Sequence, residues 1–308
     1  MSKAISIIPL SKIKKHTNSG AKARNLSILQ KMGLKIPKSF VIPFEAFEEY
    51  RVDKESGICS VMKFLEKILD KNKRYSVRSS ANTEDSSLFS FAGQFETQLN
   101  CENLNDVKKA IERTWISANG EKPTIYKSDL GQSDVNFKMA VIVQEMVAPE
   151  FSGVVFTKNP LTGLDEVIVE TVDGYCDSLV QKGVTPERWV YNWGKLVEFP
   201  ENRPKRSHII LKIIETAIKI GKKLDASIDL EWAYDGCDIF WLQMREITTL
   251  KNTYLYSNRL SREFLPGIIL PLVWSVNIPV VNSSWKRLFM TSPYFPNSSS
   301  TILSLSIE

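Results

Sequence analysis

Two facing runs near residue 230 constrain this chain more than any other feature. Ile228-Asp229-Leu230-Glu231-Trp232-Ala233 is followed, after Asp235-Gly236, by Ile239-Phe240-Trp241-Leu242-Gln243-Met244-Arg245. A side-chain period of two predicts paired strands, with Asp229 and Glu231 on one face and Ile228, Leu230 and Trp232 on the other. The second run likewise puts Gln243 beside Arg245. Carboxylates, an amide oxygen and a guanidinium suit a divalent ion with a polyphosphate: hard oxygen ligands for the metal, a planar cation for the phosphates. An ordinary surface hairpin with solvated charges fits the segment equally well when it is taken alone.

Register tests the choice. A two-residue Asp-Gly loop would pair Glu231 with Phe240 and turn Gln243 to the opposite face. A three-residue loop would pair Asp229 with Gln243 and Glu231 with Trp241. Only an odd loop or a bulge brings Glu231 and Gln243 to one site.

Elsewhere the pattern is mixed. Asn25–Met32, Phe44–Tyr50, Asn105–Ser117 and 210–224 have helical spacing; the last sets Ile210, Ile213, Ile214, Ala217 and Leu224 against a lysine-rich face. Tyr75–Ser80, Phe151–Thr157 and Glu166–Thr171 read as strands. Met139–Val147 is almost wholly apolar, as a central buried strand is. Without a regular βαβ cadence, this predicts an α+β fold.

Length and composition bound the rest. The 308 residues are 43% hydrophobic and 24% charged, ordinary for globular protein and sufficient for about two domains. No apolar run reaches the roughly 18 residues of a membrane span. The start lacks a signal-peptide core, so a cytoplasmic protein is expected, with no membrane partner. Cys59, Cys101, Cys176 and Cys237 are scattered without metal spacing, and free thiols are expected. The first 44 residues hold nine Lys or Arg and no Asp or Glu. Phe40 is the only aromatic before Phe44, so base stacking has little support and nucleic acid is not an expected partner. There is no GxxxxGK[ST], no GxGxxG after a strand and no HRD loop. His16 and His208 sit in polar contexts that suit the surface.

Four other segments add candidate ligand contacts. Ser19-Gly20-Ala21-Lys22 places a lysine just ahead of a helix start, where anions are favoured. Arg78 offers a bidentate fork, and the small residues around Gly93 form a loop able to close over phosphates. Gln144-Glu145-Met146-Val147 ends the buried strand with free backbone groups and apolar neighbours, which suits a flat heterocycle. Lys182-Gly183-Val184-Thr185-Pro186 is a further small loop.

Taken in order, these pieces resemble a known family. Gly20-Ala21-Lys22 with Asn25-Leu26, Val77-Arg78-Ser79-Ser80-Ala81 with Glu84-Asp85, Ser90-Phe91-Ala92-Gly93-Gln94, Val143-Gln144-Glu145-Met146-Val147, Ser152-Gly153-Val154-Val155-Phe156-Thr157, Asp229-Leu230-Glu231-Trp232-Ala233 and Leu242-Gln243-Met244-Arg245 are similar to the N-terminal ATP-binding domain of the phosphoenolpyruvate synthase and pyruvate phosphate dikinase family. That resemblance implies an ATP-grasp fold, two α+β lobes holding ATP between them. It implies ATP contacts from Lys22, Arg78, Gly93, Gln94, Thr97, Gln144, Glu145, Val147, Glu231, Gln243 and Arg245. Lys22, Arg78 and Arg245 would act on the phosphates, with Mg2+ on Glu231 and Gln243.

The family's reaction passes a pyrophosphoryl group to a histidine on a separate domain, and an acceptor domain then uses it. These partners would be supplied in cis in a longer protein or in trans. The resemblance places a nucleotide domain over residues 1–250, dividing near 135. Residues 251–308 would be a connector toward a next domain, ending in a disordered tail. The connector is especially similar to the rifampin phosphotransferase branch. A non-catalytic ATP-binding module from a truncated gene, or a fragment of a rifampin phosphotransferase-like antibiotic-modifying enzyme, is the alternative. Ala21, Asp173-Gly174-Tyr175-Cys176-Asp177 and Glu246 depart from the family pattern.

Overall fold

The computed structural model describes residues 6–14, 16–82, 85–86, 89–90, 97–118, 138–176, 185–200 and 206–247, with helical positions at 275–276, 279–280, 283–284 and 287. The chain divides into two compact units, Met1–Thr253 and Tyr254–Glu308. Among the described residues the first unit contains two large antiparallel sheets and five α-helices, the α+β class that the mixed periodicity predicts.

The first sheet runs in the order β1 (Ile8–Pro9), β2 (Ser39–Ile42), β7 (Met139–Glu145), β3 (Tyr75–Ala81), β6 (Thr97–Cys101). Strand β7 is the central member, flanked by β2 and β3. Its alternate residues serve two cores. Met139, Val141 and Val143 pack with Phe47, Val61, Ile111 and Trp115 from α2 (Phe44–Val52), α3 (Lys54–Ile68) and α4 (Leu104–Ala118). Ala140 and Ile142 pack with Ala23 and Leu26 of α1 (Gly20–Lys31). A strand covered on both faces must be apolar throughout, which explains the unbroken run in the sequence.

The second sheet has the order β11 (Lys195–Glu198), β10 (Glu187–Asn192), β9 (Val167–Asp173), β8 (Phe151–Phe156), β12 (Ile228–Tyr234), β13 (Ile239–Glu246). Helix α5 (Ser207–Leu224) lays Ile210, Ile213, Ile214 and Ala217 against Val155, Val169, Trp189, Leu230 and Trp232. A two-residue hairpin, β4 (Asp85–Ser86) with β5 (Phe89–Ser90), stands apart from both sheets.

Helix α1 bridges the two sheets. Leu26 belongs to the first sheet's core and Leu29 to the second's. Asn25 Nδ2 donates to the Met244 carbonyl at 3.1 Å, and the Trp241 N–H donates to the Lys35 carbonyl at 2.9 Å.

Two expectations change. Because β7 pairs on both sides within the first sheet, the chain passes to the second sheet between Glu145 and Phe151, not near residue 135. Helix α1 begins at Gly20, so Lys22 lies inside its first turn instead of ahead of it. The periodicity reading also passes over α3, capped by Asp53 Oδ1 on the Ser56 N–H at 3.1 Å, and over the β10–β11 hairpin.

Candidate functional site

The charged residues of the second sheet reach one face through a defect in pairing. Tyr234 pairs with Ile239, Ala233 with Phe240 and Trp232 with Trp241, closing a four-residue loop. Such a loop would set Glu231 opposite Leu242. Instead the register shifts between Glu231 and Trp232, so that Glu231 pairs with Gln243 and Asp229 with Arg245. The bulge absorbs one residue and restores the shared face. Trp232, Leu230 and Met244 remain in the α5 core, and Asp229, Glu231, Gln243 and Arg245 take the other side.

The first sheet supplies the counterpart. Along β3, Ser76, Arg78 and Ser80 alternate with Tyr75, Val77 and Ala81, which belong to the helical core. Arg78 Nη1 donates to Glu231 Oε2 at 3.1 Å and to Gln243 Oε1 at 3.3 Å. The Arg78 side chain is 12% exposed and that of Glu231 32%. Gln243 is buried. Arg78 Nε is buried with no partner. Arg245, half-buried on the same strand two residues beyond Gln243, has no side-chain hydrogen bond or ion pair among the described residues.

Lys22 enters from α1. Its side chain is buried, with Nζ 3.3 Å from Ser79 Oγ, next in sequence to Arg78. The solvated lysine that a bare helix start suggests is not what forms. The helix is positioned from outside: its own N-cap, Ser19, makes no side-chain cap. Ser80 Oγ accepts the Ala23 N–H at 3.2 Å and donates to the Ser19 carbonyl at 2.7 Å. This cap in trans fixes the first turn, and Lys22 with it. Gly20 makes the approach feasible. Its φ is +74°, and a Cβ there would stand 2.1 Å from the Ser80 carbonyl oxygen. Sequence reasoning singled out Lys22 and Arg78 but missed Ser80, whose only signal is a small polar residue two places after Arg78.

The remaining candidates divide. Thr97 is paired directly opposite Arg78 and is exposed. Gln144 is buried between Ser39 and Ser76 in register, and its Nε2 donates to Ser39 Oγ at 3.1 Å. The Glu145 N–H donates to the Lys38 carbonyl and the Met146 N–H to the Arg74 carbonyl, both at 2.9 Å. Glu145 and Val147 are half-buried where the chain crosses between the sheets. Gly93, Gln94 and the loop 182–184 lie outside the described residues. His16 and His208 are exposed, and all four cysteines are free thiols.

Two features of this cluster suit a divalent cation together with an anion, the side-chain oxygens for the metal and the guanidinium for the anion. Glu231 Oε2 and Gln243 Oε1 are hard oxygens converging on one Arg78 nitrogen, and that guanidinium has a further donor without a partner. Among the described residues no group of three or more His, Cys, Asp or Glu gathers as a metal cluster, so the protein oxygens of this candidate come from one carboxylate and one amide. No helix among the described residues is long and apolar enough to cross a membrane.

The fold and cluster define a two-sheet α+β protein in which an arginine of one sheet meets a carboxylate and an amide of the other. The chain belongs to the family described as pyruvate phosphate dikinase, AMP/ATP-binding domain, whose model matches residues 52–209. The match includes Arg78, Thr97 and Gln144; Lys22, Glu231, Gln243 and Arg245 lie outside it.

A probable phosphoenolpyruvate synthase from Methanothermobacter thermautotrophicus is 28% identical, over 80% of this chain and 46% of its own length. A rifampicin phosphotransferase from Streptomyces sviceus is 31% identical, over 57% of this chain and 23% of its own. A D-alanine–D-alanine ligase structure from Helicobacter pylori aligns over 77% of this chain and 56% of its own, at 8% identity and a TM-score of 0.40. The chain spans less than half the length of either curated relative. It is an ATP-binding domain of the dikinase family, with an α+β architecture built on two large antiparallel sheets among the described residues.

Proposed function

We propose that this chain binds magnesium–ATP between its two sheets and donates the pyrophosphoryl group to a histidine on a separate domain. The observation that carries the reading is the meeting of Arg78, from the first sheet, with Glu231 and Gln243, from the second. A site assembled from two sheets can hold a polyphosphate from both sides, and phosphoryl transfer asks mainly for positioning and charge stabilisation. Lys22, Arg78 and Arg245 neutralise phosphate oxygens. Glu231 and Gln243 hold the magnesium, which supplies Lewis-acid stabilisation of the phosphate charge when bound. Gln144, Glu145 and Val147 border the base, while Thr97 with Gly93 and Gln94 serves the phosphate side.

The histidine nitrogen attacks the β-phosphorus, the bond from that phosphorus to the α–β bridging oxygen breaks, and AMP leaves with the oxygen. Residues 1–250 form the nucleotide domain in this reading, and 251–308 form a connector toward a histidine domain and an acceptor domain. The final acceptor is pyruvate or another small molecule chosen by that further domain.

The test is direct. With a related histidine domain supplied in trans, β-labelled ATP should label that domain and release AMP. Label transferred only from the γ position, with ADP accumulating, overturns the pyrophosphoryl reading. Calorimetry showing no binding at millimolar magnesium–ATP overturns the nucleotide reading itself.

A further inference from the structure

Arg78 already occupies the point where the two proposed metal ligands converge. One nitrogen, Nη1, lies 3.1 Å from Glu231 Oε2 and 3.3 Å from Gln243 Oε1. Gln243 cannot readily withdraw, because it is buried on a strand whose register is set by the bulge. Arg78, in contrast, is a long side chain arriving from the other sheet. A guanidinium and a divalent ion cannot share so small and half-buried a volume without strong like-charge repulsion. The guanidinium therefore has to leave before a metal binds, and it gives up charge-assisted hydrogen bonds in doing so. A polyphosphate offers it stronger, bidentate acceptors.

We infer that Arg78 is a cation placeholder: it keeps free divalent ions off Glu231 and Gln243 and yields those oxygens only to a metal arriving with a polyphosphate. The inference rests on the nucleotide reading and adds to it a rule for how the site is loaded. Because coupling between two ligands is reciprocal, the same contact that blocks free metal also holds back metal-free nucleotide. Glu231 restrains the arginine that the phosphates need.

Binding of Mn2+ alone, followed by the paramagnetic resonance of the free ion, tests this on the whole 308-residue chain. Arg78→Met should bind Mn2+ about tenfold more tightly than the parent, the equivalent of one lost charge-assisted contact. Adding Glu231→Gln to that variant should remove the gain. An Arg78→Met protein that folds, by circular dichroism, yet binds Mn2+ no better than the parent overturns the proposal.

A second measurement does not depend on that variant folding. In excess chelator, Glu231→Gln should bind metal-free ATP about tenfold more tightly than the parent, since the arginine is released; unchanged or weaker binding overturns the proposal. The two readings fail separately. A parent that binds no magnesium–ATP, beside an Arg78→Met variant that gains Mn2+, overturns the nucleotide function and the polyphosphate half of the placeholder, and supports only its exclusion of free metal. A parent that binds magnesium–ATP, with no gain in the variant, overturns the placeholder alone.

Discussion

Replacing Gly20 by alanine should separate backbone strain from close packing, because the chain carries its own control. Gly20 and Gly33 both have positive φ, +74° and +84°. At Gly33 a new Cβ meets nothing within 4 Å, so Gly33→Ala costs only the left-handed backbone penalty, about 1–2 kcal/mol. At Gly20 the same Cβ falls 2.1 Å from the Ser80 carbonyl oxygen and 2.4 Å from Ser80 Oγ. Both are far inside contact distance, and the nearer atom is backbone in a paired strand. The first turn of α1 must then move by about 1 Å or more, which breaks the Ala23 to Ser80 and Ser80 to Ser19 hydrogen bonds, worth about 1 kcal/mol each.

Gly20→Ala should therefore destabilise by about 3–4 kcal/mol in total, roughly 2 kcal/mol beyond Gly33→Ala. Urea unfolding of both variants measures the difference. The shift also moves Lys22 off Ser79, so ATP affinity should fall in Gly20→Ala and stay unchanged in Gly33→Ala. Equal destabilisation by the two variants would refute the argument that the approach to Ser80 positions this helix.

Further expectations are more compact. Glu231→Ala should abolish magnesium-dependent transfer with the fold retained, and Glu231→Gln should be nearly as damaging because a neutral amide is a poorer magnesium ligand; parent-like transfer by either variant shows that the carboxylate is not the ligand. Arg206 is pinned by Asp173, by Glu187 Oε2 at 3.2 Å and over the Phe151 ring at 4.4 Å from its centroid. Arg206→Lys, lacking the planar fork, should lower stability by about 1–2 kcal/mol in urea unfolding, and an unchanged midpoint would count against that packing.

Burial pushes the Cys101 thiol up to about 11 from an ordinary 9. The stability it contributes is complete below pH 9 and is lost as pH rises through 11, about 2–3 kcal/mol in all. Cys101→Ala should make alkaline unfolding measurably less steep across that window, and an identical pH profile would refute the assignment.

The sequence alone determined what local periodicity can carry. The paired strands around Glu231 and Gln243, the amphipathic helix ending at Leu224 and the doubly buried strand from Met139 to Glu145 all follow from where apolar residues recur. The motif order carried the family. Tertiary structure decided the rest, because register and cross-sheet contact depend on residues far apart in the chain. A four-residue loop by itself would have separated Glu231 from Gln243, and only hydrogen-bond pairing with the bulge brings them together. Lys22 is buried because Ser80, on another element, caps its helix. Arg78 meets Glu231 across 153 positions of sequence, a contact no local pattern specifies. The Arg78–Glu231–Gln243 cluster belongs to two sheets at once, so neither sheet's sequence could place it alone.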